Sequence, residues 1–216
     1  MTTSTSEAKR RPYAPRMAPE QRREHLLDAT LRVIASRGVG KVSIDSVAKE
    51  ADVTRPVVYK HFDDTNALLR ASLAREERRA NEQFLAALPP EPSSMPIEDL
   101  IGRLTGNLLR TFEDSPELWR AALVLADSTT PEFRKRLEYG RQVAADQLTA
   151  LLTDRVGHGE LSSDADVEVL AHFLLSMIVE SGRLLLSSPE KFTRARLAGS
   201  ASRAIGTMLG AVDASL

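Results

Sequence analysis

Apolar residues recur at helical spacing along most of the chain, and the breaks between these runs divide it into segments. Leu26, Leu27, Thr30, Val33 and Ile34 form one stripe of a helix predicted over 19–37, with Pro19 tolerated in its first turn and Gly38 ending it. Ser43 can cap a short second helix whose inward face is Ile44, Val47, Ala48 and Ala51. Thr54 can cap a third, over 54–61, and Asp63 or Asp64 opens a long fourth that runs to Leu88. The segment PPEPSSMP, residues 89–96, cannot continue it, because four of its eight residues are proline. Past that break, Ile97, Leu100, Ile101, Leu104, Leu108 and Phe112 predict a fifth helix. Ser115-Pro116-Glu117 starts a sixth through Leu118, Trp119, Ala122 and Leu125, and Thr130-Pro131-Glu132 starts a seventh that reaches Val156. Ser163 with Asp166 three residues on predicts a capping box for an eighth helix ending at Ser187. Ser188-Pro189-Glu190 opens a ninth that ends near Ala211. The expected class is therefore all-α, with about nine helices and no strand.

Composition narrows the chemistry. The absence of cysteine excludes a disulfide framework and a thiolate metal site. The first 18 residues hold no apolar run of export-signal type, and the most apolar later stretch, LLSMIVESGRLLL, is broken by Glu180 and Arg183. A cytoplasmic chain without a membrane span is expected. The net charge of −1 conceals a division: residues 1–62 hold 12 Lys and Arg against 7 Asp and Glu, while the rest hold 17 against 23. A basic head on an acidic body suits a polyanionic partner. Its first segment, 1–18, reads as a flexible arm whose Lys9, Arg10, Arg11 and Arg16 can add phosphate or minor-groove contacts.

Two short helices joined by a tight turn, the second led by polar and basic side chains, are what a helix-turn-helix needs to lay one helix in a major groove. Ala48 and Ala51 permit the close crossing, and Asp52 falls where the chain turns and a positive φ is usual. The stretch REHLLDATLRVIASRGVGKVSIDSVAKEADVTRPVVYKHFDDTNALL resembles the N-terminal domain of the tetracycline-repressor (TetR) family of bacterial transcription regulators. The resemblance rests on Ala29, the Gly38 stop, Ser43-x-x-x-Val47-Ala48, Ala51-x-Val53-Thr54, and Tyr59-x-His61-Phe62 followed by Leu68. It departs at Asp52, where the family commonly has glycine, and at Thr65, where a phosphate-contacting lysine is frequent.

Arg55 is the candidate for direct base readout, because a guanidinium can pair both acceptors of a guanine edge. Pro56 lacks an N–H and offers only apolar contact; Val57 either touches a thymine methyl or belongs to the core. By resemblance, Tyr59, Lys60 and His61 lie against the phosphate backbone, as do the hydroxyls of Ser43 and Thr54. The layout implied is an arm (1–18), a DNA-binding domain (19–65), a connecting helix (66–88) and an effector-binding and dimerisation domain (97–216). For the last, Phe112, Trp119, Tyr139, Phe173 and Met177 are either pocket lining or core, while Glu180 and Arg183 either orient a polar ligand group or form an intrahelical or intersubunit pair. Gly199, Gly206 and Gly210 share one face of the last helix, where another helix backbone can approach, and two recognition helices need a homodimer. No phosphate-cradling glycine loop, nucleophile turn or metal-ligand spacing among the four histidines is present, so neither an enzyme nor a cofactor is expected. The implied function is a ligand-responsive regulator, in the repressor sense, of a palindromic double-stranded DNA operator. The alternative is a helical small-molecule-binding protein that no longer reads DNA.

Overall fold

Helix caps and prolines set most of the element boundaries. The computed structural model describes residues 17–124 and 131–213, and within them the chain forms nine α-helices and no strand. They are α1 (Pro19–Arg37), α2 (Ile44–Glu50), α3 (Arg55–Tyr59), α4 (Thr65–Ala87), α5 (Ile97–Asp114), α6 (Pro116–Trp119), α7 (Pro131–Gly157), α8 (Val167–Ser187) and α9 (Arg194–Asp213). α6 runs on through a single π-helical turn, Arg120–Val124; its expected extension to Leu125 lies outside the described residues, as does the arm up to residue 16.

At α2 the Ser43 hydroxyl accepts from the Ser46 amide at 3.1 Å, and the Ser43 amide donates to the Ser46 hydroxyl at 2.8 Å, a reciprocal cap. Asp64 caps α4 by accepting from the Ala67 amide at 2.6 Å. Thr54 occupies the N-cap position of α3 but makes no side-chain cap bond, so the expected Thr54 cap is one of position only. Two expected starts are corrected. α8 begins after Asp166, whose own carboxylate accepts from the Val169 amide at 3.1 Å, so Asp166 is the N-cap and not the third residue of a box led by Ser163. The Ser188-Pro189-Glu190 segment makes a turn closed by Lys191 and Phe192 amides on the Ser188 carbonyl, and α9 starts only at Arg194, beside Thr193.

Packing places α1 against α2, α4 and α6, and α5 at the centre of the larger body, in contact with α4, α6, α8 and α9. One core runs through both ends: Leu26, Val33, Val47, Val58 and Leu68 are fully enclosed in the head, and Leu104, Leu108 and Leu148 in the body. By length and composition alone α8 could cross a membrane, with a mean hydropathy of 1.6. Its Leu174, Ile178 and Leu185 are instead buried in the protein interior. The proline segment between α4 and α5 is held by an arginine from far along the chain. Arg155, fully buried on α7, donates to the carbonyls of Pro92 and of Met95 (2.9 Å) and to Glu160 (2.5 Å).

Candidate nucleic-acid interface and ligand cavity

Burial on α3 is one-sided. Val58 is fully enclosed and Phe62, just past the helix, nearly so, while Thr54, Arg55, Pro56, Tyr59 and Lys60 are exposed and Val57 and His61 are half-buried. The turn that sets α3 against α2 has Asp52 at φ 52°, and it closes with the Val53 amide on the Ala48 carbonyl at 2.9 Å. The ring Nε2 of His25 lies 2.9 Å from the carbonyl of Ala51 and ties the turn to α1. Sequence reasoning treated His25 as an isolated histidine; 26 residues separate it from the group it holds, and no local pattern shows that contact.

The Arg55 guanidinium is not idle in the free protein. Its Nε lies 3.0 Å from the Asp45 carboxylate of α2, with both side chains more than half exposed. A hydrogen bond with Tyr59, then the charge of Asp45, raise its pKa above the ordinary arginine value, so it is a permanent cation. The Ser43 hydroxyl accepts at the cap and keeps its proton free to donate outward. Together the exposed groups of α3 and the α2 cap can donate hydrogen bonds to an anionic backbone or to base-edge acceptors. At the α4 end, Asp63 is exposed and Asp64 is committed to its cap, so the acidic pair beside Thr65 is in part a helix-starting device.

Behind this head lies a cavity of about 550 Å³, lined from α1, α4, α5, α6, α7 and α8. Its walls are mostly apolar, with Phe84, Phe112, Trp119 and Phe133 among them, and Leu31 and Ile34 of α1 close its inner side. The Phe112 and Trp119 rings lie 4.4 Å apart, tilted by 46°. Trp119 Nε1 donates to Gln83 at 2.9 Å, and the Gln83 amide donates to the Ser115 hydroxyl at 3.0 Å, which fixes the indole. The π-helical turn places Ala121, Ala122 and Leu123 on the wall.

Of the candidate ligand residues, Phe112 and Trp119 line the cavity and Tyr139 sits at its edge, 62% exposed. Phe173, Met177 and Glu180 do not line it. They lie on the far side of α8 from Leu175, Ile178 and Val179, which do, because steps of seven residues and of three or four keep each set on its own face. Phe173 is 62% exposed. Glu180 and Arg183 do not pair: Arg183 Nε donates to the Leu123 carbonyl at 2.6 Å, holding the π-helical turn. Phe84 and Phe133 line the cavity as well and were not among the candidates: Phe84 lies in the segment expected to be a connecting helix, and Phe133 lies in the first turn of α7.

Of the α9 glycines, Gly206 is placed differently from expectation. A side chain at Gly206 would meet Glu98 of α5 at 3.2 Å, so this glycine faces its own chain, and at Gly199 the nearest group is Arg203 of the same helix. Gly210 lies within α9, beyond the residues whose surroundings are described. The tight helix approaches occur elsewhere. A Cβ on Gly102 would stand 3.0 Å from that of Ser202, and one on Gly182 would stand 2.7 Å from both Phe112 and Leu123.

Residues 26–72 match the bacterial regulatory proteins of the tetR family. The helix-turn-helix head belongs to the tetR family. Among relatives, the HTH-type transcriptional regulator AcrR of Shigella flexneri is 34% identical over 85 residues, 38% of this chain and 40% of AcrR. The HTH-type transcriptional repressor KstR of Mycolicibacterium smegmatis is 31% identical over 116 residues, 52% of this chain and 55% of KstR. The aligned stretches thus span about half the length of these relatives or less. Over the whole fold the chain is similar to the transcriptional regulator FadR from Bacillus subtilis in complex with stearoyl-CoA, with a TM-score of 0.64 at 16% identity, covering 83% of this chain and 95% of FadR. The tetR-family head therefore sits on a body that shares its fold, and little of its sequence, with solved regulators.

Proposed function

We propose that the protein is a cytoplasmic, ligand-responsive transcriptional regulator that binds a palindromic operator as a homodimer and is released from it by a small molecule. The observation that carries this reading is a shared wall. Leu31 and Ile34, which line the cavity, belong to α1, the helix that also holds the helix-turn-helix through His25. A molecule that fills the cavity therefore presses on the element that orients α3. Filling would tilt α4 and α1 and move two α3 helices away from the half-site separation of about 34–36 Å that one helical turn of DNA demands. A coupling of about 1–3 kcal/mol would weaken operator binding about 5- to 150-fold.

The dimer would form through α8 and α9. On α8 the side turned away from the cavity carries Val169, Phe173 and Met177, apolar groups of which the first two are exposed in the single chain. Such a face suits a second copy. Gel retardation of the promoter region beside the protein's own gene tests the reading. Sequence-specific retardation that is lost with Arg55→Ala supports it; retardation that is absent, or the same for any DNA, refutes it.

A further inference from the structure

Taking the cavity as the effector site, we propose that its ligand is an uncharged, mainly apolar molecule carrying one hydroxyl, an alcohol or a phenol, and that the hydroxyl seats on Ser72 and Glu76. The inference rests on the regulatory reading of the cavity and adds the chemistry of what enters it.

Ser72 is fully buried on α4, lines the cavity, and its hydroxyl has no hydrogen-bond partner. A buried polar group left unpaired is costly, and buried polar groups are normally satisfied by protein, water or ligand. Glu76 lies one helical turn further on the same face of α4 and also borders the cavity. Oε1 of its carboxylate faces two nitrogens of Arg75, Nε at 2.7 Å and Nη2 at 2.5 Å, whereas Oε2 accepts only from Arg79 at 2.9 Å, which leaves Oε2 a lone pair for a further donor. A hydroxyl is the simplest group that can accept from Ser72 and donate to Glu76. A carboxylate or phosphate would bring a second negative charge to a buried carboxylate, and a hydrocarbon would leave Ser72 unpaired. A cation is disfavoured by Arg78 and Arg141, which also border the cavity in exposed positions.

Trp119 is the protein's only tryptophan and lines the cavity, so its fluorescence reports binding without any DNA. The test titrates the full chain with 4-hexylphenol, hexylbenzene and 4-hexylbenzoate. The phenol is expected to bind about tenfold more tightly than the hydrocarbon, the lower range for a hydrogen bond that ends on a charged carboxylate. The benzoate should be weaker still. Ser72→Ala and Ser72→Cys, both close to the native volume, should bring phenol and hydrocarbon within about twofold of each other. Equal binding of phenol and hydrocarbon by the native protein, tighter binding of the benzoate, binding of none of the three, or a phenol preference that survives both substitutions would overturn the proposal. Operator retardation in the absence of any probe judges the regulatory reading separately.

Discussion

Arg55 and Asp45 form an exposed pair across the two helices of the helix-turn-helix, and on the proposed operator their roles should be opposite. Arg55 is the cation able to pair a guanine edge, whereas Asp45 holds its guanidinium in the free protein and repels phosphate. Arg55→Ala is expected to weaken operator binding by about 1–3 kcal/mol and to relax discrimination at one base pair, as measured by fluorescence anisotropy across single-base operator variants. Asp45→Asn should tighten binding to random-sequence DNA at low salt while narrowing the gap between operator and non-operator sites. Arg55 could be picked out from its neighbours in the chain, but Asp45 could not, since ten residues and a turn separate the two and only the crossing of α2 and α3 brings them together.

At the scale of elements, α1 and α4 are joined by a cluster of charges as well as by core side chains. Arg75 of α4 is buried, with Glu24 and Asp28 of α1 each 2.8 Å from its guanidinium and Glu76 at 2.5 Å. Burial pushes the Arg75 pKa down, but its hydrogen bonds to Glu24 and Glu76 and the charges of Glu76 and Asp28 outweigh it, and the group is held above the ordinary arginine value. Arg75→Met would strip the cluster of its central cation and leave Glu76 buried with Arg79 alone. A loss of about 3–5 kcal/mol of stability in urea unfolding is expected. Glu24→Gln removes a partner that is 57% exposed and should cost about 1 kcal/mol or less. Gly182→Ala acts on another junction. The added methyl would meet Phe112 and Leu123 at 2.7 Å and push them toward the cavity. About 1–3 kcal/mol of overpacking is expected, together with a shifted Trp119 emission.

Helices α1, α2, α4 and α5 were legible because each begins or ends at a residue with a strong local preference: Pro19, Gly38, Ser43, Asp64, and the prolines of 89–96. The starts of α8 and α9 were not. Both lie in stretches with several possible caps in a row, Ser162 to Asp166 and Ser188 to Thr193, and tertiary packing chooses among them. The exposed residues of α3 were legible from the place of Arg55 at the head of the helix and, for Tyr59 and Lys60, from the family resemblance. The cavity did not, because an aromatic residue at helical spacing looks the same whether its face meets a neighbouring helix or an opening. On α8 that ambiguity reversed the reading, since Phe173 and Met177 point away from the cavity that Leu175 and Val179 line.

For the whole molecule, the outward face of α8 and the two ends of the chain's function are linked through symmetry. A single head covers only one half-site, so a regulator of this build needs a partner copy to hold two heads in register. Phe173→Glu places a charge in the middle of the proposed contact and should convert the dimer to a monomer in sedimentation velocity, with operator affinity falling steeply while the far-ultraviolet circular dichroism stays helical. The most direct test of the account is a nuclease footprint of the native protein on the promoter region beside its own gene, with and without 4-hexylphenol. One protected site with twofold symmetry is expected, its half-sites about one helical turn apart, with loss of protection as the phenol is added. No discrete protected site, or a site that stays protected at a phenol concentration that saturates the Trp119 signal, would contradict it.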